Sequence, residues 1–197
     1  MNMKQSIGMT VLAIVAASML AACGDGLSKS KLKDSLVAAQ KAHPEEACLS
    51  LQTTGPVSFP IQVPMNAGAG LNKTQLGVID GLNRSGLVTA KMGPLTSGGF
   101  TLPGFALTID LTAEGRSKHV YDEKKGFCVG SRTIVDVTNY VEPAKGENTT
   151  EVNYTWQWDD LPSYVDRSKF PTLPGMTKPM DDKVVAQKTA NGWQISW

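Results

Sequence analysis

The chain has 197 residues, of which 41% are hydrophobic and 19% charged, so it has enough apolar side chains to form a folded core and is not typical of disordered proteins. Its 19 basic and 18 acidic residues give a formal net charge of +1. This balance removes the electrostatic basis of nucleic-acid binding, and we expect no nucleic-acid partner.

The first 22 residues differ in composition from the rest of the chain. Lys4 is followed by an uncharged, apolar run from Ile7 to Ala22, which is shorter than the roughly 20 residues that cross a bilayer. A positive start, a short apolar stretch and small residues at its end are the parts of a secretory signal. A buried helix and an uncleaved anchor are the alternatives. We predict that residues 1–22 are a signal peptide.

The motif Leu20-Ala21-Ala22-Cys23 ends this segment. It resembles the lipobox of bacterial lipoproteins, and the resemblance implies cleavage after Ala22 and lipidation of Cys23. Several acyl chains would hold the protein stably at a membrane, since each buried CH₂ contributes about 0.8 kcal/mol. Gly24 after the cysteine implies delivery to the outer membrane, facing the periplasm. Residues 23–29 would then be a short lipidated tether.

Two cysteines, Cys48 and Cys128, remain once Cys23 is assigned to the lipid. An exported chain meets an oxidising compartment, so an even pair of cysteines favours a disulfide. The bridge would close a loop of about 80 residues and stabilise the fold by roughly 4 to 5 kcal/mol in the chain-entropy model. Two buried thiols are the alternative.

The segment Gly126-Phe127-Cys128-Val129-Gly130 also has the form of a nucleophile elbow. An elbow requires a helix after the nucleophile and a histidine later in the chain. Both histidines, His43 and His119, precede Cys128, and the residues that follow are typical of strands. The disulfide therefore accounts for Cys128 with fewer assumptions than a catalytic pair.

Two helices are predicted in the N-terminal half. Leu32, Leu36 and Ala39 fall on one face of a helix over 30–42, which Ser28 or Ser30 would cap. The second helix is predicted over 74–87, with Thr74 as its N-cap and Gly86 at its C-terminal end. Gly77 and Gly81 inside it either weaken the helix or allow another element to approach closely.

Residues 54–104 are rich in glycine and proline. Alternation over 57–63 predicts an extended segment, which its recurring prolines would restrict to a sheet edge. The stretch Gly93–Gly104 is predicted to be a loop.

Strands are predicted from residue 105 onward. Side chains alternate over 107–111, 133–137 and 152–158. Over 152–158 the apolar residues alternate with polar ones, which indicates an antiparallel strand with one face in water. The last residues, 184–197, predict a hairpin around Asn191-Gly192. A long loop containing several prolines, 159–183, connects these strands. Loops of this length inside a compact domain usually have ordered structure and are often functional.

The four tryptophans lie close to the C-terminus, at Trp156, Trp158, Trp193 and Trp197. On neighbouring strands they could form a ligand platform or a protein-docking face. The main hydrophobic core is the alternative.

The sequence contains few other candidate metal-binding or catalytic residues. Asp159-Asp160 and Asp181-Asp182 flank the long loop and could bind calcium, but acid pairs on loops are more often simply solvated. The two histidines are distant from each other, which makes zinc improbable. We expect no metal site and no cofactor.

The chain as a whole resembles small uncharacterised envelope lipoproteins of bacteria. The residues that carry this resemblance are Phe127-Cys128-Val129-Gly130, Val152-Asn153-Tyr154 and Gly192-Trp193. The resemblance implies no known activity.

These observations predict a single α+β domain over 30–197, with N-terminal helices packed on a mostly antiparallel C-terminal sheet and one disulfide. We expect a non-enzymatic binding or assembly protein, held at the membrane through Cys23 and contacting an envelope protein. An inhibitor or immunity-type lipoprotein acting against an envelope enzyme or toxin is the alternative, and an envelope hydrolase is less favoured. A deep polar pocket would favour the hydrolase, and an exposed aromatic patch would favour partner binding.

Overall fold

A computed structural model of the chain describes residues 26–51, 57–65 and 70–195. Within these residues the fold is α+β, with three α-helices and eight strands in two antiparallel sheets. The helices are α1 (Lys29–Ala42), α2 (Lys73–Arg84) and α3 (Ala113–Ser117). The strands are β1 (Glu46–Leu49), β2 (Ile61–Pro64), β3 (Val88–Ser97), β4 (Phe100–Leu111), β5 (Phe127–Tyr140), β6 (Thr149–Asp159), β7 (Met180–Thr189) and β8 (Gly192–Ile195).

The larger sheet has five strands in the order β1-β5-β6-β7-β8. The last four follow one another along the chain, and each pairs antiparallel with the next. The alternation that predicted strands over 133–137 and 152–158, and the turn that predicted the final hairpin, are confirmed. Even-numbered residues of β6 from Val152 to Trp158 point to the buried face, whereas Glu151, Asn153 and Gln157 alternate with them on the other face.

The smaller sheet has three strands in the order β2-β4-β3, which places β2 at an edge as the prolines predicted. The prediction of a loop over Gly93–Gly104 is wrong, because β3 and β4 extend through this stretch and form a long hairpin. Gly98 and Gly99 form the turn, with φ of +59° and +83°, which glycine adopts without steric cost. A second sheet from this part of the chain was not expected from the sequence.

Two groups of buried side chains hold these elements together. The first joins α2, the base of the β3–β4 hairpin and the start of β5, through residues such as Leu82, Val88, Ile109 and Phe127. The second contains Leu32 and Leu36 of α1 with side chains of the larger sheet, which are Ile134, Val137, Val152, Tyr154 and Ala186. Trp156 is half-buried and contacts both groups.

The helix ends follow local hydrogen bonding. Ser28 caps α1 by accepting a bond from the Lys31 N–H, which is one of the two predicted caps. The N-cap of α2 is Asn72 and not Thr74, because Asn72 and Gln75 bond reciprocally in a capping box. Gly86 follows the end of α2 with φ of +72°, as its predicted capping role requires.

The connection between β6 and β7, residues 160–179, is ordered and part of the core. It contains the 3₁₀ turn Arg167–Lys169, and Phe170, Leu173 and Met176 are buried. Phe170 and Leu173 lie directly against Gly81 and Gly77 of α2. The two glycines therefore allow a close approach, which was one of the two interpretations of their presence in the helix.

Candidate functional site

A disulfide joins Cys48 and Cys128, as predicted, with their Cα atoms 4.1 Å apart. The two residues occupy directly opposite positions where β1 pairs with β5. Cys128 therefore has no free thiol in this state, and the sulfurs are not available to a metal although Glu46 lies beside them. The bridge is a structural element of the larger sheet.

The acidic residues around the long loop have separate partners. Asp159 accepts a hydrogen bond from Arg167 at 3.1 Å, and Asp160 accepts one from the Ser131 hydroxyl at 2.8 Å. Asp182 is bonded to Arg132 instead. Three of the four acids singled out in the sequence, Asp159, Asp160 and Asp182, thus form structural contacts in different places.

Arg132 is the centre of the most extensive polar arrangement in the described structure. Its side chain is only 10% exposed, and it donates to Glu45 at 2.9 Å and to Asp182 at 2.6 Å. It also donates to the Tyr154 hydroxyl at 3.0 Å, and its guanidinium carbon lies 4.2 Å from the centroid of the Trp156 ring. These five residues, which we call the Arg132 cluster, tie β5, β6 and β7 to the connection that follows α1.

The ionisation of the cluster follows from its contacts. Partial burial acts to raise the pKa of Asp182, but bonds from the Lys183 N–H and from Arg132 outweigh it and leave that pKa below its usual value. Burial raises the pKa of Tyr154, and the neighbouring charge of Asp182 adds to this against the opposing effect of Arg132. At neutral pH the cluster therefore contains an ionised Asp182 and a protonated Tyr154, an arrangement suited to holding strands together.

Acid is expected to destabilise the wild-type protein more than its Asp182→Asn variant. The pKa of Asp182 is lower in the folded protein than in the unfolded chain, where it is about 3.9. The ionised carboxylate therefore stabilises the fold fully above the unfolded pKa, and this stabilisation is lost as the pH falls through the folded-state pKa. Denaturant titrations at pH values from about 6 to about 2 would measure the difference. Asp181→Asn is the matched control, since Asp181 lies outside the Arg132 cluster; equal acid sensitivity in wild type and Asp182→Asn would contradict the assignment.

The predicted tryptophan face is only partly exposed in the structure. Trp158 is 4% exposed, donates from Nε1 to the Pro174 carbonyl at 2.7 Å, and packs edge-on against Trp156 with ring centroids 5.1 Å apart. Trp193 is partly buried beside the second group of core residues. Trp197 lies outside the described residues. This placement favours the core interpretation for the described tryptophans, and their role as a binding face stays a prediction.

Exposed apolar side chains concentrate instead on the β3–β4 hairpin. Phe100 is 75% exposed and Phe105 67%, and Met92 and Leu102 are also exposed in the same hairpin. We call these four residues the hairpin patch. From Met92 to Ile109 the sequence contains no charged residue. The sequence analysis missed this surface because it assigned 93–104 to a loop. Gly98-Gly99 between two uncharged apolar segments is a pattern typical of a hairpin turn and would have predicted the two strands.

A shallow groove of about 330 Å³ lies between the C-terminal half of α1 and β5. Val37, Pro44 and Ile134 contribute apolar side chains to its lining, which also includes the polar or charged residues Gln40, Lys41, Glu45, Ser131, Arg132 and Thr133. The surface that the groove exposes is nevertheless mainly apolar.

The membrane predictions concern residues outside the described structure. The predicted signal peptide 1–22 and the lipidation site Cys23 both lie there. Among the residues that are described, none of the helices has the length and apolar character needed to cross a bilayer.

Comparisons of the chain with protein-family models, with curated proteins and with solved structures find no match.

Proposed function

We propose that this protein is a lipid-anchored envelope protein that faces the periplasm and has a non-enzymatic binding or assembly role. The observation that carries the proposal is the hairpin patch, which places two exposed phenylalanines and two further large apolar side chains on one hairpin. Soluble domains seldom leave such groups in water unless they serve an interaction. Aromatic side chains also commonly supply much of the energy of protein interfaces.

The distribution of the other exposed apolar residues supports the same choice of surface. The other exposed large hydrophobic residues of the described structure are Val37, Leu76, Val141 and Val185. Each is a single aliphatic side chain on a different element or connection: α1, α2, the β5–β6 connection and β7. Scattered aliphatic residues are ordinary on protein surfaces. The exposed phenylalanines, in contrast, are both in the hairpin.

The polar groups of the described structure also support binding over catalysis. Cys128 is in a disulfide, and Asp159, Asp160 and Asp182 have structural partners. The groove beside α1 exposes mainly apolar surface. The expectation that an exposed aromatic patch favours partner binding therefore applies here through the hairpin rather than through the tryptophans.

The proposal includes the membrane anchor and the packing of the helices. Lipidation of Cys23 rests on the lipobox resemblance of Leu20-Ala21-Ala22-Cys23. Packing of α1 and α2 on the larger sheet is supported by the core groups that each helix shares with β5. Mass spectrometry of the mature N-terminus tests the anchor: we expect an acylated Cys23, and an unmodified cysteine or a retained Met1 would refute it.

The binding role is tested by removing the apolar side chains of the hairpin. We expect the double variant Phe100→Ser, Phe105→Ser to lose its crosslinked partner in intact envelopes while its unfolding midpoint stays within about 2 °C of wild type, because neither ring is buried. Val185→Ser is the matched control, since Val185 is exposed on β7 away from the hairpin. Retention of every crosslinked partner by the folded double variant would refute the hairpin as the binding surface, and a Trp197→Ser variant in the same experiment tests the tryptophan face.

A further inference from the structure

The segment that leads from Cys23 into the domain is held at the end of the larger sheet where β5 finishes. The Tyr140 hydroxyl donates to the Leu27 carbonyl at 3.3 Å, and Lys29 Nζ donates to the Thr138 carbonyl at 2.5 Å. Leu27 follows Cys23 by four residues, which span at most roughly 14 Å when fully extended. A lipid on Cys23 would therefore keep this end of the domain close to a bilayer.

α1 leads away from this end along β5. Its start lies beside the last residues of β5, whereas its C-terminal half lines a groove with Arg132 and Ile134, nearer the start of the strand. Just after the helix, the Glu45 carbonyl accepts a hydrogen bond from the Arg132 N–H at 2.8 Å. The helix and the strand are therefore antiparallel neighbours, and the chain before α1 joins the domain at the end of β5 rather than along its length.

Two other segments lie at the same end. β6 pairs antiparallel with β5, so the connection between them, 141–148, lies where β5 finishes. The Lys188 N–H donates to the Asn148 carbonyl at 2.7 Å, which places the end of β7 there too. The Ser35 hydroxyl donates to the Trp193 carbonyl at 2.7 Å and connects β8 to α1. We call these segments the anchor end: the start of α1 (27–33), the β5–β6 connection (141–148) and the β7–β8 turn (189–192).

The anchor end is polar, and its charges are close to balance. It contains four lysines and two glutamates. Asp25 and Asp34 flank its first segment in the sequence, and Asp136 lies 3.8 Å from Lys33. Val141 is exposed there as a single aliphatic side chain. Such a surface is compatible with the polar headgroup layer and not with the hydrocarbon core, where unpaired charges are costly. Its near balance means that the tether, rather than lipid charge, would hold it at the membrane.

We infer that the anchor end rests on the headgroup layer of the bilayer that holds the lipid, with β5 rising away from the membrane. This inference rests on the proposed function and adds the surface of the domain that faces the bilayer. Cys128 precedes Tyr140 by twelve residues of β5, and at about 3.3 Å per residue this places the Cys48–Cys128 bridge roughly 40 Å further from the membrane. The competing arrangement is a domain lying on its side, which the tether alone does not maintain.

Quenching of a fluorescent amino acid tests the inference in the acylated mature protein, reconstituted in phosphatidylcholine vesicles. The fluorescent analogue replaces Lys145 or Ala190 at the anchor end, and Lys124 before the start of β5 as the matched control, since all three residues are exposed. A lipid that carries a contact quencher on its headgroup should quench positions 145 and 190 at least about threefold more than position 124, because the control lies near the remote end of β5.

Two further measurements separate the effect of the tether from that of lipid charge. An insertion of 20 glycine and serine residues between Gly24 and Asp25 adds a flexible segment with an end-to-end distance of roughly 25 Å. We expect it to reduce the difference in quenching between positions 145 and 124 by at least about half. Adding phosphatidylglycerol to the vesicles should leave that difference unchanged in the protein without the insertion, because the anchor end is close to charge balance.

Other outcomes would overturn the inference. Equal quenching at positions 145 and 124 would show a domain that lies on its side. A difference that appears only with phosphatidylglycerol would assign the orientation to lipid charge, and one that persists unchanged with the longer tether would show that the tether does not set it. An unmodified Cys23 would refute the proposed anchor as well, whereas equal quenching in acylated protein would refute this inference alone.

Discussion

Replacing both Cys48 and Cys128 with serine is expected to lower the free energy of unfolding by about 4 kcal/mol. The two cysteines are 80 residues apart in sequence, and their bridge restricts the unfolded chain far more than a short loop would. The chain-entropy model gives roughly 4 to 5 kcal/mol for such a loop. For a domain of this size the loss corresponds to a fall of about 10 °C in the unfolding temperature.

Because the bridge joins β1 to β5, its removal is expected to weaken β1 more than the rest of the fold. β1 has only four residues, lies at the edge of the larger sheet and pairs with β5 alone. Ala47 and Leu49 on β1 are buried and remain apolar in the variant, so we expect the fold to persist with lower stability. Amide exchange of β1 should increase more than that of β6, which has a strand on each side.

Reductant supplies the control for this prediction. Wild-type protein unfolded in the presence of a thiol reductant should approach the stability of the double variant, whereas the variant should not respond to reductant. A wild-type stability that is the same with and without reductant, in protein whose thiols are shown to be reduced, would contradict the assigned contribution of the bridge.

Local patterns in the sequence predicted the elements whose structure is decided locally. The apolar spacing of Leu32 and Leu36 predicted α1, and alternation around Tyr154 predicted β6. The disulfide followed from cysteine number and the inferred compartment. The helix and the strand could be predicted because their side-chain patterns are local. The disulfide could be predicted because it required only the number of cysteines and the compartment.

The features that sequence reasoning missed depend on distant contacts. Arg132 bonds to Glu45 and Asp182, which are 87 and 50 residues away, and no local pattern relates these three residues. The hairpin was missed for another reason. Its glycines and prolines are typical of loops, and two glycines with positive φ form the turn that keeps β3 and β4 paired. The same hairpin carries the surface on which the proposed function depends.

Replacing Gly81 with alanine is expected to destabilise the protein by about 3 kcal/mol, although helix propensity alone predicts a gain of about 1 kcal/mol at this position. A Cβ at Gly81 would lie 1.9 Å from Cδ1 of Phe170, whose ring is fully buried. The ring would have to move out of a packed core, and such overpacking typically costs 1 to 3 kcal/mol and occasionally more. The sign of the change therefore distinguishes the packing effect from the propensity effect.

The displaced ring would also disturb the connection between β6 and β7. Phe170 and Leu173 hold residues 160–179 against α2, so the loss should appear first as greater exchange and proteolysis in this connection. Gly93→Ala is the control, because a Cβ there meets no atom within 4 Å. Denaturant unfolding of the two variants measures the difference. A stabilised Gly81→Ala protein would show that the connection does not lie against this face of α2.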